Sequence, residues 1–439
     1  MLNPAQPYFY LLAYILIQYV RPQEFVPAFV GTPVVPVLLV FATGFWLIAQ
    51  KKDFEAPQHR LILGLALAMF VSVAMTGWIG GAVTALVEFA PTMILFYLIA
   101  TSVDSIARFK QMSIVLTGVA CIMALHGVEQ SASEGGVGWT GAVMIKERIT
   151  YLGFLNDPND LAMAFVMTLP LTMYLARSSP SFFARHAYHA AAALILYGIY
   201  LCNSRGSLLA IAAMLFAFAV RRFGWVRSGI VGPILLVPLI LFAPSRGGEM
   251  SADEQSAAGR VEAWYEGFQM FRSHPLFGVG KGMFTEHHEL TAHNSFVLAF
   301  AEIGVVGYFF WASMLFLSGM MLHRILRAGG PPAPLPPAEL ATQNRDKPMD
   351  GWGDWETMAR TLMYVATGTV VSAFFLSRTY TPVIYLVIGL IVAAYQGVRR
   401  QWPAFAPIGL RENLKLLLIV EFASLGVLWL LTRVLLQTA

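Results

Sequence analysis

Charge is what this chain has least of. Of its 439 residues only 12% are Asp, Glu, Lys or Arg, against 57% that are apolar. Soluble domains carry about 25% charged residues, so this chain cannot cover an aqueous surface, and lipid must be part of its solvent. A soluble enzyme, a secreted disulfide scaffold and a disordered tail protein are thereby excluded. Cysteine is nearly absent too. Cys121 and Cys202 fall in or beside apolar runs and offer neither a disulfide framework nor a metal cluster. The first twenty residues contain no Lys or Arg, so they lack the basic start of a signal peptide and read as a retained span. A net charge of +4 is too small to point to a partner, and no nucleic acid is expected.

What the chain has is long apolar runs. A transmembrane helix needs roughly 20 mostly apolar residues. Thirteen runs qualify: 7–20, 33–50, 61–78, 83–101, 112–128, 159–176, 187–202, 206–220, 229–243, 304–323, 361–376, 382–398 and 415–436. They are continuous rather than alternating, which argues against β-strands. The fold class expected is all-α, a polytopic membrane helix bundle of about 12–13 transmembrane helices. With the N-terminus in the cytoplasm, most Lys and Arg residues fall on the inner connections, as the positive-inside rule asks. The chain then divides into N-terminal spans (1–243, with an outer loop 129–158), a large outer loop (244–292) and C-terminal spans (293–439). The last part contains a Pro-rich inner connection at 327–358.

Basic residues on the outer side oppose the insertion bias, so each asks for a reason. Arg205 stands in Cys202-Asn203-Ser204-Arg205-Gly206-Ser207-Leu208-Leu209, a very short link between two apolar runs. An Arg pinned there is costly and usually paired, although it could also snorkel or set orientation. Arg260 precedes Trp264, Phe268 and Phe271 at helical spacing, a pattern that predicts an amphipathic helix lying on the outer interface. Arg378 sits between two spans, and Arg148 and Lys146 occupy the other long outer loop.

The stretch from His274 to Asn294 invites two readings that fail. Gly278 to Gly282 is no phosphate loop, because Gly282 stands where Ser or Thr should follow Lys281. Nor is His288-Glu289 a zinc-protease motif, because position 292 is Ala. No metal site is expected. What remains is His293 with Asn294, just before an apolar run. Residues 293–326 as one helix would measure about 51 Å against a core of about 30 Å. The first ten residues should then project outside, with His293 over the mouth of the bundle and Glu302 beside it. An imidazole there can act as a base near neutral pH, or serve only as an interfacial hydrogen-bonding group. Several guanidiniums on one side suit a di-anionic or pyrophosphate ligand, which Arg binds bidentately. Outside the cytoplasm, where nucleotide sugars and ATP are lacking, that ligand is most simply the head group of a lipid carrier.

These residues resemble a known family. His293-Asn294, nine residues, then Gly304-Val305-Val306-Gly307 is similar to the H-[NSQ]-x9-G-x-x-G signature of the O-antigen ligase/polymerase superfamily, and Arg205 to Leu209 resembles its R-x3-L motif. Residues 260–280 look like its large periplasmic loop. Tyr19 to Glu24 and Asn156-Asp157-Pro158-Asn159-Asp160 are similar to the branch described as exosortase-associated O-glycosylation ligases. The resemblance implies a GT-C-type glycosyltransferase of the bacterial inner membrane, independent of metal and cofactor. Its donor would be an undecaprenyl-pyrophosphate-linked glycan, used at the periplasmic face. It implies His293 as the catalytic residue and Arg205 and Arg260 as pyrophosphate-binding residues. By position, Arg378, Arg148 and Asn294 join them as candidate substrate-binding residues. The acceptor hydroxyl could belong to lipid A-core, a growing polysaccharide or a protein. A repeat-unit polymerase of the same superfamily, or a flippase for lipid-linked oligosaccharides, would use similar outer arginines. A flippase should also carry cations along a path to the inner face, whereas the intramembrane charges here are few, Glu88 and Glu421 among them.

Overall fold

A computed structural model describes residues 7–48, 52–229, 250–331 and 350–438. Their regular elements are helices: α1 Pro7–Val20, α2 Val34–Ile48, α3 Gln58–Ala74, α4 Ile79–Ser102, α5 Ile106–Ala132, α6 Pro158–Ser178, α7 Phe182–Cys202 and α8 Arg205–Phe223, followed by α9 Met250–Ser273, α10 Phe284–His287, α11 Ser295–Arg327, α12 Trp352–Phe374, α13 Pro382–Gln401 and α14 Leu410–Thr438. Twelve of the thirteen expected runs coincide with these helices. The run 229–243 lies, but for its first residue, outside the described residues, as does most of the Pro-rich stretch 327–358. Seven helices (α4, α5, α6, α8, α11, α13 and α14) are long and apolar enough to cross a membrane, and α1, α2 and α3 are shorter apolar helices. The protein is an all-α, multi-pass membrane bundle.

Local sequence sets the helix starts. Ser105, Asp157, Ser181 and Ser204 each accept a backbone N–H at the start of α5, α6, α7 and α8. Asn294 does so twice for α11, from Phe296 and Val297. Each cap satisfies donors that the helix itself leaves open. Pro158 and Pro382 occupy first-turn positions of α6 and α13, where a missing N–H costs nothing. Burial then sorts the helices. Nearly every residue of α13 is buried, between α4, α11 and α12, as expected of a helix apolar all round. The opposite case is α14, whose Phe422, Val427, Trp429 and Leu430 stay exposed as a lipid-facing flank.

Two expectations need correction. The first is the single long helix from residue 293. α11 is broken at Gly304, which has φ 62° and ψ −170°. The chain from His274 to Gly280 fills the break. Val279 and Gly280 donate to the carbonyls of Ala301 and Glu302 at 3.0 Å, and Val305 and Val306 donate to those of Pro275 and Leu276 at 2.9 and 3.2 Å. The clasp pairs four of the backbone groups that the break frees, which lowers the cost of breaking a helix in an apolar setting. The stretch after the break, 305–327, is about 34 Å long, close to the core thickness. The second correction is the interfacial helix. Trp264 of α9 is only 5% exposed and donates through Nε1 to Ala292 at 2.9 Å. Phe268 and Phe271 pack on Phe300 of α11. The apolar stripe of α9 meets protein, not lipid.

Candidate active site

The start of α6, the loop before α11 and the α12–α13 connection meet at one end of the bundle. They enclose a cavity of about 360 Å³ lined by His293, Arg378, Glu302, Tyr380, Asp157 and Asn159, among others. His293 is held by its neighbours on both sides. Ala292 accepts the Trp264 indole, Thr291 Oγ1 lies 2.9 Å from Ser377 Oγ, and Asn294 is the α11 cap. His293 itself has φ +46°, a left-handed conformation uncommon for a residue with a Cβ. Burial lowers its pKa below the ordinary 6.5, and the Arg260 and Arg378 charges lower it further, against a smaller opposite pull from Asp157. The imidazole is therefore neutral at pH 7 and can take up a proton.

Arg378 is braced rather than loose. Its Nε and Nη2 both donate to the Asp160 carboxylate, a two-pronged pair. Its backbone N–H donates to Ser295 Oγ at 2.9 Å, and Ser295 Oγ donates in turn to Leu376 O at 2.5 Å. Arg148 is tied similarly: Nε donates to Cys202 O at 2.8 Å and Nη2 to Asn159 Oδ1 at 2.6 Å. Its guanidinium is part of the scaffold behind Asn159, not a solvated loop side chain. Arg205 is the first residue of α8 and is exposed. It is next to Gly206, where an added Cβ would lie 3.1 Å from Phe375, three residues before Arg378. Arg260, on α9, reaches His293 through its charge. Asn294 has its Oδ1 committed to the helix cap, while its Nδ2 is buried without a partner.

The residues singled out in the sequence thus lie at one end of the bundle. His293 and Arg378 line the cavity, Arg148 stands behind it, Arg260 acts on His293 at a distance, and Arg205 adjoins through Phe375. Sequence reasoning did not anticipate Asp160 as the partner of Arg378, nor Tyr380 in the wall. Asp160 was visible only as part of Asn156 to Asp160, whose acidic and amide residues at a helix start read equally as capping. Glu88 meanwhile pairs with Lys281 at 2.5 Å, so it is no lone membrane charge.

Two family models match parts of the chain. Residues 190–312 match the family described as O-antigen ligase. The match supports the O-antigen ligase/polymerase superfamily for this chain, as an O-antigen ligase-like membrane protein. Residues 1–180 match a family of unknown function, DUF5935. No curated protein matches the chain.

Proposed function

We propose that the protein transfers a glycan from an undecaprenyl-pyrophosphate carrier to an acceptor hydroxyl, at the periplasmic face of the bacterial inner membrane. The observation that carries this reading is a half-buried imidazole, His293, that lines a cavity together with Arg378 and whose pKa burial and the Arg260 charge lower. His293 takes the proton of the acceptor hydroxyl as its oxygen attacks the anomeric carbon. The bond from that carbon to the pyrophosphate oxygen breaks, and the pyrophosphate leaves with the electron pair. Arg205 and Arg260 bind it and stabilise its growing charge, with Arg378 adding to the field. Direct attack inverts the anomeric centre. No step calls for a metal or cofactor.

The test is reconstitution. Purified protein is given lipid-linked glycan and candidate acceptors, and products are separated by size. One discrete product is expected of a ligase, and a ladder would point to a polymerase. His293→Ala should fold, yet transfer at least about a hundredfold more slowly, the usual worth of a general base. Near-normal transfer by that variant would remove His293 from the mechanism, and absence of product with every acceptor would favour transport.

A further inference from the structure

A second groove, of about 520 Å³, lies between α9 and α14. Phe268, Phe271 and Leu425 give it apolar walls, and Arg272 and Arg433 make it cationic. It is separate from the reaction cavity. Trp264 of α9 donates to Ala292, and an added Cβ at Gly267 would lie 2.5 Å from Val297, so this side of α9 meets α11 and the loop before it. Gln269 and Arg272, which line the groove, each stand five residues on from those two, about 140° round the helix. Arg433 is laid across two rings, 5.7 Å from the Tyr265 centroid and 5.5 Å from that of Trp429. One ring belongs to each helix, so the guanidinium is held in the groove rather than left free to snorkel. Arg272 stands in the last turn of α9, where a cation also suits the helix dipole. Among the described residues neither arginine pairs with a carboxylate. Glu262 and Glu266, the acids of the same stretch of α9, do not line the groove.

Two guanidiniums without a carboxylate between them, beside the Gln269 amide, fit one phosphate group. What carries that phosphate is set by the surface next to it. Arg433 follows Arg411 by 22 residues, about 33 Å along α14, which places it one hydrocarbon core from the other end of the span, at a membrane boundary. From Arg433 inward, Trp429, Gly426, Phe422 and Leu418 follow on one side of α14, and all four are exposed. An added Cβ at Gly426 would meet nothing within 4 Å. Phe422 to Arg433 is about 16 Å, the depth of one leaflet, about 15 Å. A soluble anion would leave this apolar track bare, whereas a lipid with a phosphate at its head covers both. An ethanolamine head adds an ammonium that the arginines repel, and a glycerol head adds only hydroxyls, which leaves the lipid anionic.

We infer that the groove between α9 and α14 binds one anionic phospholipid of the surrounding membrane, with its phosphate between Arg272 and Arg433 and an acyl chain along the face of Trp429 and Phe422. This site goes beyond the proposed transfer reaction and does not depend on it. The bound lipid braces α9 on the side away from Trp264. It thereby secures the helix whose indole holds the Ala292 carbonyl beside His293.

The test is lipid titration of the purified full chain in detergent, read by native mass spectrometry, with phosphatidylglycerol and phosphatidylethanolamine as probes. One phosphatidylglycerol per chain should be retained at least about tenfold more tightly than phosphatidylethanolamine, since each arginine near a lipid head contributes about fivefold. Arg433→Gln should weaken phosphatidylglycerol about fivefold, and Arg272→Gln by a similar or smaller factor, with phosphatidylethanolamine unchanged within about twofold. Gly426→Phe adds a ring on the exposed track and should weaken both lipids. Phosphatidylglycerol should also raise the unfolding midpoint of the wild type more than that of Arg433→Gln. Equal retention of the two lipids would mark ordinary annular lipid and overturn the site. So would phosphatidylglycerol binding within about twofold of wild type in both Arg433→Gln and Gly426→Phe, which would put the lipid elsewhere. Displacement by inorganic phosphate at equal concentration would make this an anion site without a chain and overturn it too. Tighter binding of lipid A, lost in the same variants, would give the groove to that lipid and overturn the phospholipid. Retention of phosphatidylglycerol by a protein that transfers no glycan would count against the proposed reaction and support this site. If Arg433→Gln does not fold, unchanged binding by Gly426→Phe overturns the proposal.

Discussion

The two walls of the cavity are fixed by different means. The wall at the start of α6 lies within the region matched to a family of unknown function, and side chains hold it: Asp160 grips Arg378, and Arg148 grips Asn159 and Cys202 O. The wall around His293 and Glu302 lies within the O-antigen ligase match, and backbone holds it, through the clasp of residues 274–280 on the break at Gly304. Side-chain pairs can be retuned by one substitution, because charge and length vary among residue types. A backbone clasp offers no such freedom. The cavity's charge is therefore adjustable, while its shape near His293 is not.

The sharpest way to break this contrast is to place a methyl group in the clasp. An added Cβ at Gly304 would sit 2.4 Å from backbone atoms of Leu276 and Phe277, and one at Gly278 2.3 Å from the Glu302 carbonyl carbon. Both positions also have positive φ. Gly304→Ala and Gly278→Ala should each cost about 3 kcal/mol or more, with loss of folded protein in the membrane. Thermal unfolding in detergent checks this, and a wild-type midpoint would refute the rigid backbone wall.

The other wall should respond less. Asp160→Ala removes the buried partner of Arg378, whose own side chain is 34% exposed and can rehydrate. A loss of about 1–3 kcal/mol is expected, short of the value for a fully buried pair. Asp160→Glu should recover part of it, which the same unfolding measurement can read. Smaller in free energy is Arg205→Lys, which keeps the charge but not the fork. It should insert normally and lose about tenfold or more in transfer at saturating acceptor. A rate within twofold at equal abundance would make Arg205 an orientation residue. The mildest change is in pH dependence. The neutral form of His293 is the reactive one, so transfer should fall only as pH drops below the ordinary imidazole value of 6.5. Removing a cation makes protonation easier, so Arg260→Gln should move that acid limb to higher pH. An unmoved limb would disconnect Arg260 from His293. The protein's stability should follow the same sign, being full at neutral pH and declining as His293 is forced to charge in acid.

Much of this was legible in the sequence, and for a physical reason. Hydropathy is a property of one stretch at a time, so twelve helices stand where apolar runs predict them. His293, Asn294 and Gly304 were equally visible as a spaced motif. What was hidden depends on pairs of distant stretches. Gly278 reads as a loop glycine and Gly304 as a helix glycine, and neither shows that the two backbones cross. The stripe of Trp264, Phe268 and Phe271 is the same whether its partner is lipid or α11, since periodicity reports an apolar face and not what covers it. Asp160 reads as a residue of a helix start until Arg378, far along the chain, is seen against it.

Sequence separation also implies an order of assembly. The two halves of the clasp are short neighbours in the chain, with Val279 bonded to Ala301 and Val305 to Pro275. Asp160 and Arg378 are 218 residues apart. At about 5–20 residues per second of synthesis, both halves of the clasp emerge within seconds of one another, and short loops close first because they lose least entropy. The backbone wall beside His293 can therefore take form while Arg378 is still unmade, and the pocket closes only once residues 376–380 arrive. The ion pair that holds the other wall is set later, only after α12 has been threaded into the membrane.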